Sequence, residues 1–141
     1  MAGLTVGVIG IGAFGSRVAL RLLWSGYHTL QLYDVNDIST RQFTNDYGGL
    51  TIGSPKMMAA NSDVILTVLP SAAALREVCF GWEGLATGFK KGGIVMDLGT
   101  TDPVETVKLA RRSQAQITAR RRRRSLSASI TQITTSWRWH A

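Results

Sequence analysis

Val8-Ile9-Gly10-Ile11-Gly12-Ala13-Phe14-Gly15 holds the pattern G-x-G-x-x-G, and what flanks it gives that pattern meaning. Upstream, Leu4-Thr5-Val6-Gly7-Val8-Ile9 is a short β-branched apolar run, too short for a helix, and reads as a buried parallel strand. Downstream, Phe14, Val18, Leu22 and Leu23 recur at helical spacing on one face, and Gly26 stands where a helix C-cap glycine belongs. Between strand and helix each glycine has a task. Gly10 permits the tight turn out of the strand, Gly12 lets the backbone approach a pyrophosphate, and Gly15 lets the helix pack close to the sheet. Phosphates would then lie on the free N–H groups of the helix N-terminus, where the dipole favours negative charge. Ile11, Ala13 and Phe14 share that turn and count with the glycines as candidate cofactor contacts.

A second strand is expected over Thr29–Tyr33, and Asp34 falls at its end, 19 residues after Gly15. An acid there accepts hydrogen bonds from both hydroxyls of an adenine ribose and repels a 2′-phosphate, which favours NAD over NADP. Asn36 and Arg41 keep NADP open, and Val35 and Asn36 join Asp34 as candidate contacts. The plainer alternative is that the glycines only make a turn and Asp34 only caps a strand.

The remaining elements continue the alternation. A helix is expected over 54–61, a buried strand over 64–69 that stops at Pro70, and a helix capped by Ser71 through Ala72, Leu75, Val78 and Cys79. Another strand follows over 93–98. The next helix starts at Asp102 as N-cap, with Pro103 in the first position and Glu105 completing a capping-box-like pair. Strands alternating with helices imply an α/β fold, a Rossmann-type doubly wound parallel sheet of about five strands.

Composition divides the chain. At 141 residues and 45% hydrophobic it has the size of one domain with a core of its own. A single cysteine, Cys79, excludes a disulfide framework and a multi-thiolate metal site. No run of 18 apolar residues exists, and Arg17 and Arg21 interrupt the apolar N-terminus, so neither a membrane span nor a signal peptide is expected and a cytoplasmic location is. Residues 1–112 carry ten Lys/Arg against nine Asp/Glu, while residues 113–141 carry six Arg and no acid. All 15 glycines and all three prolines precede residue 112. Residues 1–112 therefore read as a dinucleotide-binding domain. Residues 113–141 read as a basic Arg/Ser/Thr-rich tail, disordered or partly helical. The abrupt break is what a shifted reading frame or misplaced exon boundary gives, and that reading ranks first. A solvated appendage with incidental anion affinity ranks second. Nucleic-acid binding by the arginine run 120–124, with Trp137 and Trp139 stacking on bases, ranks last. Residues 126–130 alternate like a strand and are a candidate to dock on an open sheet edge.

These blocks resemble the β-hydroxyacid dehydrogenase family, whose members include 3-hydroxyisobutyrate and 6-phosphogluconate dehydrogenases. Val8 through Gly15 is similar to its G-x-I-G-L-G-x-M-G signature, with Phe14 for methionine. Gly26-Tyr27 with Tyr33-Asp34-Val35 is similar to its second strand. The segment 62–70 resembles one ending M-L-P, and 91–103 one reading D-x-S-T-x-x-P. The similarity spans about residues 4–112. It implies that Leu69 and Pro70 lie against the cofactor ribose and that Thr100 lies near the nicotinamide, although Thr100 also suits a local backbone bond. Gly99 stands where relatives have serine, and Ala74 where they often have a cofactor-touching asparagine.

The same resemblance implies two later blocks, D-A-P-V-S-G-G for the substrate carboxylate and G-x-x-x-K-x-x-x-N for the catalytic lysine. Neither occurs; Lys56, Lys90, Lys91 and Lys108 lie in no such motif. Hydride transfer from an alcohol needs a group to exchange the hydroxyl proton, and His28 and His140 read as loop or surface residues. The expectation is a cofactor domain, truncated relative to the family and inactive alone. A hydroxyacid would be its partner only if the other half is supplied. The alternative is a non-catalytic protein that binds polyanions through its arginines.

Overall fold

A computed structural model describes residues 3–26, 28–90, 92–99, 102, 104–105 and 107–112. Five parallel strands form one sheet in the order β3-β2-β1-β4-β5: β1 (Thr5–Ile9), β2 (Thr29–Tyr33), β3 (Leu50–Thr51), β4 (Val64–Thr67) and β5 (Ile94–Asp97). Helices α1 (Ala13–Ser25), α2 (Asp37–Tyr47), α3 (Pro55–Asn61) and α4 (Ala72–Phe80) connect them, and 104–105 with 107–112 are helical. The α/β Rossmann-type sheet expected from the sequence is present. The strand order reverses at β1, so the connections diverge there and leave a crevice at the C-terminal ends of the strands.

Successive strand side chains point to opposite faces, and each face has its own core. Val8, Leu30 and Leu32 pack with Ile11, Ala19 and Phe43 on the α1/α2 side. Ile9, Ile65 and Val95 pack with Met58, Leu75, Val78 and Leu109 on the α3/α4 side. The one polar inward side chain of β2, Gln31, accepts a hydrogen bond from the Ser62 hydroxyl at 3.1 Å, which satisfies both groups at the end of α3. Asp63 accepts from the Thr5 N–H at 2.8 Å and from Lys90 Nζ at 2.7 Å, and the Lys90 bond above all holds its carboxyl below the usual carboxylate range. At the far end Arg76 meets Glu105 at 3.4 Å and Arg112 stacks over the Phe80 ring, tying the last helical turns to α4.

Several local expectations shift. Ser54 lies outside α3 as its cap, its hydroxyl accepting from the Met57 N–H at 3.3 Å. β4 stops at Thr67, and Val68 and Leu69 leave the ladder. β5 is shorter at both ends than 93–98. Phe14 is 54% exposed, so it is not on the inner face of α1; the residues fully buried there are Gly15 and Ala19. α2 and β3 were not anticipated. Thr40 and Phe43 are the only buried residues of α2, and both residues of β3 are exposed, so neither leaves a strong periodic signal. Asp102 accepts from the Val104 N–H at 2.8 Å, as a cap does. Pro103, Thr100 and everything expected of residues 113–141, including the 126–130 strand, Trp137, Trp139 and His140, lie outside the described residues.

Candidate functional site

β1 ends at a turn whose geometry explains its glycines. Gly10 has φ 97°, a left-handed conformation that disfavours any Cβ, and its N–H donates to the Tyr33 carbonyl at 3.0 Å. A Cβ on Gly10 would overlap the Val68 carbonyl, and one on Gly15 the Gly10 carbonyl. Gly12 differs: among the described residues, its chain neighbours aside, no atom lies within 4 Å of its Cβ position, so its surface is open to a ligand.

The start of α1 is open as well. Asn36, Ser54 and Ser71 cap α2, α3 and α4 through their side chains, whereas Gly12 offers α1 no side-chain acceptor and the first turn holds no acid. Unpaired N–H groups with the positive end of the dipole suit an anionic ligand.

These features border a cleft of about 800 Å³. One side is built from Gly10, Gly12, Ala13, Phe14 and Gly15; Asp34 and Val35 come from the end of β2. Leu69 and Pro70 come from the end of β4, and Leu98 and Gly99 from the end of β5. Asp34 stands at the junction: Oδ2 accepts from the Ile11 N–H at 2.7 Å and Oδ1 from the Asn36 N–H at 2.8 Å. The carboxylate thus ties the glycine loop to the exit of β2.

Two candidates fall elsewhere, and a third is not described. The Ile11 side chain is buried in the α1/α2 core, and only its N–H reaches Asp34. Asn36 does not line the cleft; its side chain accepts from Ile38 N–H at 3.2 Å and caps α2. Thr100 lies outside the described residues. Arg41 pairs with Asp37 at 2.8 Å along α2. His28 is half-buried behind α1 with Nδ1 unpartnered, away from the cleft.

The structure adds residues to this set. Ala74, Glu77 and Val78 line the cleft from one face of α4, an i, i+3, i+4 spacing that the Ser71 cap already puts in register. Asp97, 4% exposed, accepts from the Thr67 hydroxyl at 2.8 Å and the Gly99 N–H at 3.2 Å, fixing the loop that carries Gly99 into the cleft. Cys79, beneath α4, is buried, and desolvation together with the nearby Asp97 charge pushes its thiol up to about 12. A thiol held protonated is a poor nucleophile. Thiol-reactive dye at pH 8 is therefore expected to label the native protein negligibly and the urea-unfolded protein stoichiometrically.

Among the described residues no group of three or more His, Cys, Asp or Glu could hold a metal ion, and no helix is long and apolar enough to cross a membrane.

The family described as the NAD binding domain of 6-phosphogluconate dehydrogenase matches residues 5–120. The 3-sulfolactaldehyde reductase of Escherichia coli is 34% identical over 111 residues, which are 79% of this chain and 37% of that protein. Human mitochondrial 3-hydroxyisobutyrate dehydrogenase is 35% identical over 106 residues, 75% of this chain and 31% of that protein. The chain thus spans about a third of the length of these relatives. Among solved structures, 3-hydroxyisobutyrate dehydrogenase from Salmonella typhimurium superposes with a TM-score of 0.71 at 24% identity, covering 81% of this chain and 38% of that one. An imine reductase variant from Myxococcus stipitatus in complex with NAD+ gives 0.71 at 18% identity, with 81% and 38% covered. Both likenesses are of fold.

Proposed function

Because the chain belongs to the family of the NAD binding domain of 6-phosphogluconate dehydrogenase, we propose that its cleft takes NAD in preference to NADP, as the cofactor-holding part of a β-hydroxyacid dehydrogenase-like oxidoreductase. That it is an NAD(P)-binding domain related to the β-hydroxyacid dehydrogenases follows from the family itself. The observation that carries the finer reading is Asp34, an acid at the cleft wall beside an uncapped helix N-terminus.

Each residue then has a physical role. Gly12 and the first N–H groups of α1 receive the pyrophosphate, as Ala13, Phe14 and Gly15 frame the same turn. The Asp34 oxygens, each with a lone pair beyond its bond to the loop, accept from the ribose hydroxyls. A 2′-phosphate there would meet a carboxylate, and Arg41, the nearest candidate to offset it, is already paired with Asp37. Val35 lies beside the base, and Leu69 and Pro70 lie against the route toward the nicotinamide; Thr100 and Asn36 are kept as flanking candidates. A bound nicotinamide supplies the hydride-exchanging carbon, and this chain supplies orientation and electrostatics.

The hydroxyacid and the proton-exchanging group belong, on this reading, to a substrate-binding part outside residues 1–112. We assign 113–141 no role in binding the cofactor. A reducing compartment, the cytoplasm, is proposed from the single buried cysteine.

Calorimetric titration of the full chain with NADH and NADPH tests the reading. NADH is expected to saturate the protein and to bind more tightly than NADPH. Asp34→Ala is expected to weaken NADH about tenfold or more and to close the gap to NADPH, since hydrogen bonds to a charged group contribute about 1.5–3 kcal/mol. Equal affinities in the unsubstituted protein would count against Asp34 as the selector.

A further inference from the structure

Two carboxylates line the cleft, and the proposed function uses only one. Asp34 is committed to the loop and the ribose. Glu77 lines the same cleft from α4, its side chain exposed and lying over Gly81, where the missing Cβ leaves it room. Among the described residues its carboxylate has no hydrogen-bond or ion-pair partner, and it and Asp34 are the only charged groups in the cleft lining.

Between these two acids the wall is apolar. Tyr33 and Val78 rest on the α3/α4 core, and Val35, 87% exposed, with Ala74 extends the surface. A flat ring attached to a ribose at Asp34 fits such a surface, with its polar edge left to find partners at the rim. A carboxylate at pH 7 only accepts hydrogen bonds. It therefore rewards a ring bearing an exocyclic amino group over one that has no donor at that edge.

We propose that Glu77 selects the base of the dinucleotide, accepting from the 6-amino group of adenine and discriminating against purines that lack it. This rests on the dinucleotide reading above, and sites that hydrogen-bond one group of a ligand discriminate strongly against analogues lacking it.

The test titrates the full chain with NAD and with the analogue in which unsubstituted purine replaces adenine, which differs only in carrying hydrogen for the 6-amino group. NAD is expected to bind about tenfold more tightly or better. Glu77→Ala is expected to bring the two within about twofold, and Glu77→Lys, whose ammonium cannot accept from the amino group, to abolish the preference likewise. Removing the Glu77 charge raises affinity for every anionic dinucleotide alike, so the ratio between the two ligands is the readout. Glu77 is exposed, and unchanged circular dichroism and melting temperature confirm that the variants fold. Equal binding of the two ligands by the unsubstituted protein, or an undiminished preference in Glu77→Ala, overturns the assignment and leaves the dinucleotide reading standing. No binding of either ligand by the folded chain overturns both.

Discussion

Gly12→Val is expected to leave the protein folded and to reduce dinucleotide affinity by at least a factor of about 100, near 2.8 kcal/mol. The reasoning is steric and runs in two directions. Among the described residues, the chain neighbours aside, no atom lies within 4 Å of the Gly12 Cβ position, so the fold has room for the added side chain, and φ at this position is −81°, which any residue adopts. That same room is where the phosphates approach the uncapped start of α1, so the isopropyl group occupies the ligand's place. Melting temperature within a few degrees of the parent, measured beside a calorimetric titration in which the heat of NADH binding disappears, is the expected pair of results. Retained binding would show that the phosphates do not pass over Gly12.

Gly15→Val, only three residues away, is expected to do the opposite damage. Its Cβ would overlap the Gly10 carbonyl, so α1 must move off the loop and the Ala19 contact beneath it opens. Overpacking of this kind costs about 3 kcal/mol or more when backbone stands in the way, a large share of the roughly 5–15 kcal/mol that holds a domain together. Urea unfolding followed by circular dichroism is expected to show a midpoint lowered by at least about 1 M, given a slope of about 1–3 kcal/mol per M. A midpoint equal to that of Gly12→Val would remove the distinction between a ligand-facing and a packing glycine.

The packing roles of Gly10 and Gly15 are readable in the sequence, because the spacing of the three glycines between an apolar run and a helical face dictates a tight turn and a close helix approach. Ser71 is readable as a cap because a small hydroxyl residue directly before a helical pattern has one common use, whereas Ser54, expected within its helix, turns out to be its cap. What escaped was chemistry with no local period. α2 has only two buried residues, and β3 contributes two exposed residues held chiefly by backbone bonds to β2. Asp97 looks in sequence like any strand-end acid; only the fold brings Thr67, thirty positions earlier, against it. Phe14 was read as inner-face packing because its spacing fits α1, yet the first turn of that helix projects into the cleft. Glu77 needed the face of α4 that the cleft selects.

The tether from Asp34 to the Ile11 and Asn36 N–H groups has a kinetic consequence. Both bonds join groups of the chain itself and need nothing from a ligand, so the glycine loop and the entry to α2 are expected to hold their shape before one arrives. Little conformational entropy remains to be lost on association, and the backbone around the turn is expected to shift by no more than about 1 Å on binding. Capture should then follow a single exponential whose rate rises linearly with ligand concentration and shows no plateau, because no slow rearrangement stands between encounter and seating.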